Sequence, residues 1–153
     1  MMVRVLQFAL LAATAAVPAQ AQSSAEDDVR QVVQKLFDGM RARDTVALRM
    51  VFDSGARLVT TSNQGGQPTV RVTPIDDFIQ IIVTAAPGQV LDEQLQETEV
   101  KVADNLAVVW TKYRFYVGAE FSHCGVDAFQ LAKTAGGWKL IALADTHRPP
   151  DQC

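Results

Sequence analysis

The side chains with chemical potential are concentrated in the last third of the chain: Tyr113, His123, Cys124, Asp127, Asp145, His147 and Cys153. Two carboxyls that face each other in a partly apolar cavity cannot both ionise cheaply. One pKa should rise, which supplies a general acid or base near neutral pH. In that arrangement Asp127 or Asp145 moves a proton, Tyr113 stabilises developing oxyanion charge, and His147 or His123 tunes or relays the proton. The structural alternative is that Asp127 bonds Thr111 or Tyr113 while Asp145 sits at a strand end bonded to His147 or Arg148.

These side chains meet only if their strands pair in one register. Alternating apolar and polar residues run to Thr134, Ala135-Gly136-Gly137 reverses the chain, and a second run leaves from Trp138, which is a hairpin pattern. A two-residue turn at Asp104-Asn105 sets Val100 and Val102 against Val109 and Ala107, and Glu97 against Lys112. With three-residue turns thereafter, Val109, Phe129 and Leu143 align on one face, and Leu131 lies beside Ile141. Further along that face come Thr111 with Asp127 and Asp145, then Tyr113 with Gly125 and His147, then Phe115 with His123. The expectation is an apolar floor leading into a polar, aromatic-rimmed cavity, with Thr111, Phe115, His123, Phe129 and Leu143 as its ligand-pocket residues. A one-residue slip would turn the whole set outward.

The opposite face carries Val108, Trp110, Lys112, Arg114, Tyr116, Val126, Ala128, Gln130, Leu140, Ala142 and Ala144. Its centre is too apolar to stand in water as one patch, so a homodimer through this face is expected, the alternative being shielding by the charged side chains of a monomer. The same register puts Cys124 opposite Arg148, from which the short tail can return Cys153 to form a disulfide. A metal site built from His123, Cys124, His147 and Cys153 fits no zinc spacing, and adjacent strand residues point to opposite faces. A cysteine nucleophile is the remaining alternative; oxidation would silence it.

Stepping N-terminal, three helices are needed to cover the sheet. Val29, Val32, Val33, Leu36, Phe37 and Met40 recur at helical spacing after a capping pattern in which Ser23 and Ser24 precede Glu26 and Asp27. A second helix is expected from Asp44, burying Ala47, Leu48, Val51 and Phe52 and ending at Asp53-Ser54-Gly55. A third begins with Thr73 as cap and Pro74 in its first turn, and carries Ile75, Phe78, Ile79, Ile82, Val83 and Ala86 before Pro87-Gly88. Between the second and third, Ala56–Thr61 and Thr69–Val72 read as a short peripheral hairpin. Four long strands follow, near Gln94–Ala103, Leu106–Val117, Ser122–Thr134 and Trp138–His147.

This order is α+β: three helices packed on a curved, mostly antiparallel sheet of four long strands plus the short hairpin. The order, with its closing Gly-Gly-Trp turn and Trp138-Lys139-Leu140-Ile141 strand, resembles the nuclear transport factor 2-like superfamily, which includes SnoaL-like cyclases and ketosteroid isomerase. The resemblance spans about residues 25–148 and implies a cone-shaped roll, a conical pocket and frequent dimers. It does not imply catalysis, since many members only bind.

Residues 1–21 read as a signal peptide, with Arg4, an apolar run from Val5 to Val17 and a cut after Ala21. The domain is then 22–148, with 149–153 as a tail, in a periplasmic or secreted protein. The apolar run is too short for a membrane span of ~20 residues. The mature chain keeps 13 basic against 17 acidic residues with scattered signs, which argues against nucleic-acid or anionic-membrane binding. No phosphate-cradling loop, Gly-x-Ser-x-Gly elbow or His-Glu-x-x-His occurs, and no cofactor is expected. The leading function is a small-molecule-binding or accessory module for an apolar or amphipathic ligand. The alternatives are a cofactor-independent isomerase, cyclase or hydrolase using the aspartates, and an interaction subunit using the outer face.

Overall fold

A computed structural model describes residues 19–153. Most of the expected signal peptide lies outside the described residues. Helix α1 runs Ala19–Ala42 and buries Val29, Val33, Leu36, Phe37 and Met40, the expected stripe. Its start differs from expectation: Ser23 and Ser24 lie inside the helix, and its first turn carries no acid. The helix ends where Arg43 turns left-handed (φ 53°), and the Asp44 N–H returns to the Gly39 carbonyl at 2.9 Å. Helix α2, Thr45–Val51, is capped by the Asp44 carboxylate, which accepts from the N–H groups of Val46 and Ala47 at 3.0 Å each.

The hairpin is longer than expected and forms one edge of the main sheet. Strand β1, Phe52–Gln64, begins at the residue assigned to the end of α2, and β2 spans Gln67–Pro74. Helix α3, Ile75–Thr84, starts one residue later than the Thr73 cap would set it, because Thr73 and Pro74 are held extended opposite Leu58 and Arg57. It also stops short of Ala86. Strands β3 (Leu91–Ala103), β4 (Leu106–Val117), β5 (Glu120–Thr134) and β6 (Gly137–His147) complete one sheet in the order β2-β1-β6-β5-β4-β3. All neighbours are antiparallel except β1 and β6, whose parallel pairing joins the hairpin to the main sheet.

Helices α1 and α3 cover the inner face. Phe37 packs edge-on against Phe129 with ring centroids 6.1 Å apart, and Phe52 does the same with Phe78 at 6.2 Å. A bulge between Gln130 and Leu131 shifts the far end of the β5–β6 hairpin by one residue. Leu131 therefore opposes Leu140 rather than Ile141, and Leu140 is fully buried instead of standing on the outer face. Outside, Trp110 is 55% exposed and Val108 40%. The Cys124–Cys153 disulfide is formed, with Arg148 bridged to Cys124 and a 3₁₀ turn at Pro150–Gln152 bringing the tail back. Among the described residues, no helix is long and apolar enough to cross a membrane.

Candidate functional site

The inner face of the sheet forms the floor of a cavity of about 300 Å³ between α1, α3 and the strands. The expected register holds at this depth. Thr111 pairs with Asp127, Asp127 with Asp145, Tyr113 with Gly125 and Phe115 with His123. It is reached by a different route: the Gly118-Ala119 turn has two residues, and a bulge at Ser122 restores the frame.

Asp127, Asp145, Tyr113, His147, Phe115, His123 and Leu143 all line the cavity. Thr111 and Phe129 do not; both are enclosed in the packed core. The Thr111 hydroxyl makes a 2.7 Å hydrogen bond with Thr98 Oγ1 and lies 3.1 Å from the Gln96 carbonyl, so it is not the partner of Asp127. Tyr113 is also committed elsewhere. Its hydroxyl donates to the Thr146 carbonyl at 2.9 Å, so the expected oxyanion role does not fit this geometry. The approach is possible because residue 125 is glycine: a Cβ there would lie 2.6 Å from Tyr113 Cε1 and 1.8 Å from the Thr146 oxygen.

A third carboxyl joins the aspartates. Glu93 of β3 reaches into the cavity beside Asp127, where the two carboxyls can share a hydrogen bond only when one of them holds a proton. Burial, then Asp127, keeps Glu93 well above the ordinary carboxyl range. Burial pushes Asp127 up to about 7, the bond to Glu93 draws it back, and Asp145 raises it again. Asp145 is raised by burial and opposed by a hydrogen bond from Thr60 and the charges of His147 and Arg71. The buried atoms Asp127 Oδ2 and Asp145 Oδ1 receive no hydrogen bond from a protein donor. A proton held by Glu93 offers one donor to Asp127; the cluster otherwise presents acceptors.

The rim is aromatic. His123 stacks on His147 at 3.8 Å between centroids and on Phe115 at 4.7 Å. Burial, with the neighbouring His147, pulls His123 down to about 4, so it is neutral at pH 7. The walls are apolar, contributed by Phe37 and Met40 of α1, Phe78 and Ile82 of α3, and Leu58 of β1. Arg71 of β2 also lines the cavity. Among the described residues, no cluster suited to a metal ion is present.

A larger groove of about 640 Å³ runs between α1, α2 and the β5–β6 turn. Several of its polar groups are already engaged: Asp38 with Arg41, Asp44 as the α2 cap, and Lys139 with the Met50 carbonyl. The carboxyl cluster makes the smaller cavity the better candidate.

The family model described as "Putative lumazine-binding" matches residues 24–144. No curated protein matches the chain. Among solved structures, an NTF2-like protein of unknown function from Silicibacter pomeroyi is 18% identical with a TM-score of 0.64, covering 82% of this chain and 98% of that one. An NTF2-like protein with a cystatin-like fold from Novosphingobium aromaticivorans is 11% identical with a TM-score of 0.67, covering 84% of each chain. A Streptomyces avermitilis protein of the NTF2-like family, described as a "putative dehydratase", is 15% identical with a TM-score of 0.62, covering 82% of this chain and 97% of that one. At these identities the likeness establishes the α+β fold alone.

Proposed function

Since this chain belongs to the NTF2-like family described as "Putative lumazine-binding", we propose that it is an exported binding protein for a small, flat, mostly apolar molecule. The observation that carries this reading is the pair of buried carboxyl oxygens, Asp127 Oδ2 and Asp145 Oδ1, left without donors at the polar end of an otherwise apolar cavity. Unsatisfied buried acceptors are costly, and a ligand that brings N–H or O–H groups to them recovers that cost. Lumazine meets the donor requirement, being a flat bicycle with ring N–H groups. Export is supported by the leader-like residues 1–21 and by the disulfide, which persists in oxidising compartments. The exposed Trp110 and Val108 support pairing of two copies through the outer sheet face.

The test is calorimetric titration of the mature, oxidised protein with lumazine and a panel of flat heterocycles. Saturable binding that disappears when Ile82→Trp fills the cavity is the expected result. Failure of the whole panel to bind would sink the proposal.

A second reading is favoured by the Asp127 carboxyl, which titrates near neutrality beside Asp145 and suits a general acid or base. The protein would then be a cofactor-independent isomerase, cyclase or hydrolase, without help from the Tyr113 hydroxyl. Asp127→Asn separates the two readings: turnover is lost if the group moves a proton, whereas a binder shows no turnover to lose.

A further inference from the structure

We propose that the cavity selects an organic cation, an ammonium or amidinium group carried on a small flat apolar body. This rests on the reading of the cavity as a binding site and specifies the ligand's charge.

The charged and titratable groups converge unevenly. Glu93 from β3, Asp127 from β5 and Asp145 from β6 meet at one end. Strand β4 adds Tyr113, whose hydroxyl donates its hydrogen bond to the Thr146 carbonyl, and β5 and β6 add the stacked pair His123 and His147. From β2, Arg71 acts on Asp145. Behind Glu93, Asp92 is paired with Arg41 at 3.0 Å. Helices α1 and α3 bring apolar side chains alone to the cavity. Among the described residues neither Glu93 nor Asp127 forms an ion pair with a protein cation, and the two carboxyls act on each other instead.

An acceptor-rich ligand such as a carboxylate or phosphate would meet acceptors there. A neutral donor would satisfy the orphaned oxygens, but it would leave the carboxyls crowded and short of positive charge. A cation does both. Its N–H groups bond Asp127 Oδ2 and Asp145 Oδ1, and its charge allows a carboxyl of the cluster to ionise. The balance is one carboxyl proton released to solvent for each ammonium bound, with no covalent change. Phe37, Tyr113 and Phe115 line the cavity and supply aromatic rings for cation–π attraction.

The discriminating probes are naphthalen-1-ylmethylammonium and naphthalen-1-ylmethanol, which share an apolar body and differ in charge. Each is titrated calorimetrically at pH 7.5 into the mature, oxidised protein, in phosphate and in Tris, so that the buffer-dependent heat counts protons. The amine should bind about tenfold tighter, the size of one charge-assisted bond gained over a neutral one, and release protons. Asp127→Asn and Glu93→Gln should bring the affinity ratio toward one and abolish the release. Equal or tighter binding of the alcohol would overturn cation selection while leaving a binding cavity in place. Amine binding without proton release, or unaffected by Asp127→Asn, would also overturn it. If neither probe binds and the heterocycle panel also fails, the cavity reading falls as well.

Discussion

The Thr111 hydroxyl lies 3.1 Å from the carbonyl oxygen of Gln96, at the bulge where β3 changes frame against β4. Thr98 Oγ1, 2.7 Å from the same carbonyl and 2.7 Å from Thr111 Oγ1, closes the contact. On the Gln94 side of the bulge Leu95 faces Tyr113 and Glu93 faces Phe115; on the other, Thr98 faces Thr111. Without the extra residue Glu93 would pair with Tyr116 and point outward. Thr111 is thus a positioning residue for the buried acid, although it never touches the cavity.

Thr111→Val keeps the volume and removes the hydroxyl that holds the bulge. Denaturant unfolding should show a loss of about 1–2 kcal/mol, the usual cost of a buried hydrogen bond whose partner is left behind. The bulge should also relax, flattening the pH dependence of stability that Glu93 produces. A variant as stable as the parent, with an unchanged pH profile, would show that the bulge is held by the strands alone.

That pH dependence has a definite sign. Glu93 and Asp127 have folded pKa values above their unfolded ones, so their contribution is fully present below about pH 4 and lost as pH rises through the folded values, about 7 in the case of Asp127. His123 opposes them: its folded value of about 4 lies below 6.5, so its contribution is lost as pH falls between those values. The two effects compete up to pH 6.5, and above it the carboxyls act alone. Stability should fall from pH 6.5 to 8.5, by at most about 1.4 kcal/mol per pH unit for each proton involved. Asp127→Asn should reduce that slope. Flat stability in this window would mean that the carboxyls are ionised and hydrated in the folded protein.

Gly125 gives the site its second fixed point. A methyl group there would overlap the Thr146 carbonyl and the Tyr113 ring, and the nearest atom belongs to backbone, which cannot simply rotate away. Gly125→Ala should cost about 3 kcal/mol or more in thermal or urea unfolding, as expected of a severe overpacking. It should also break the Tyr113–Thr146 bond, visible as a changed tyrosine near-ultraviolet signal. A loss below about 1 kcal/mol would indicate that β6 can retreat without penalty.

How much of this was legible from sequence depended on whether the pattern was local. The stripe from Val29 to Met40 buries as its spacing requires, and matched pairs such as Val100 with Val109 carry the β3–β4 frame from the Asp104-Asn105 turn. The alignment of Thr111, Asp127 and Asp145 followed from alternation. Bulges are a different matter. A single extra residue at Gln96-Glu97, Ser122 or Ile141 leaves no signal in a hydrophobic pattern, yet each changes which face a side chain occupies. Glu93 escapes the sequence pattern for that reason, and because β3 begins at Leu91, three residues before the expected Gln94. Thr60 and Arg71 were missed because the parallel pairing of β1 with β6 joins segments more than 80 residues apart, which no turn pattern announces.

The outer face offers the last prediction. Trp110 at 55% and Val108 at 40% exposure stand two residues apart on β4, opposite Ala128 and Gln130 of β5, while Lys112 is tied to Glu97 at 2.6 Å further along. An ion pair at that exposure contributes little stability, so the apolar centre is what a partner would cover. If two copies pair here, sedimentation equilibrium should give a dimer, and Trp110→Glu, which sets a carboxylate against its own symmetry mate, should shift it to monomer. Because the tryptophan is more than half exposed, the monomer itself should lose no more than about 0.5 kcal/mol. A parent protein that sediments as a monomer at all accessible concentrations would leave Lys112, Arg114 and the neighbouring glutamates as the shield of an unpaired sheet.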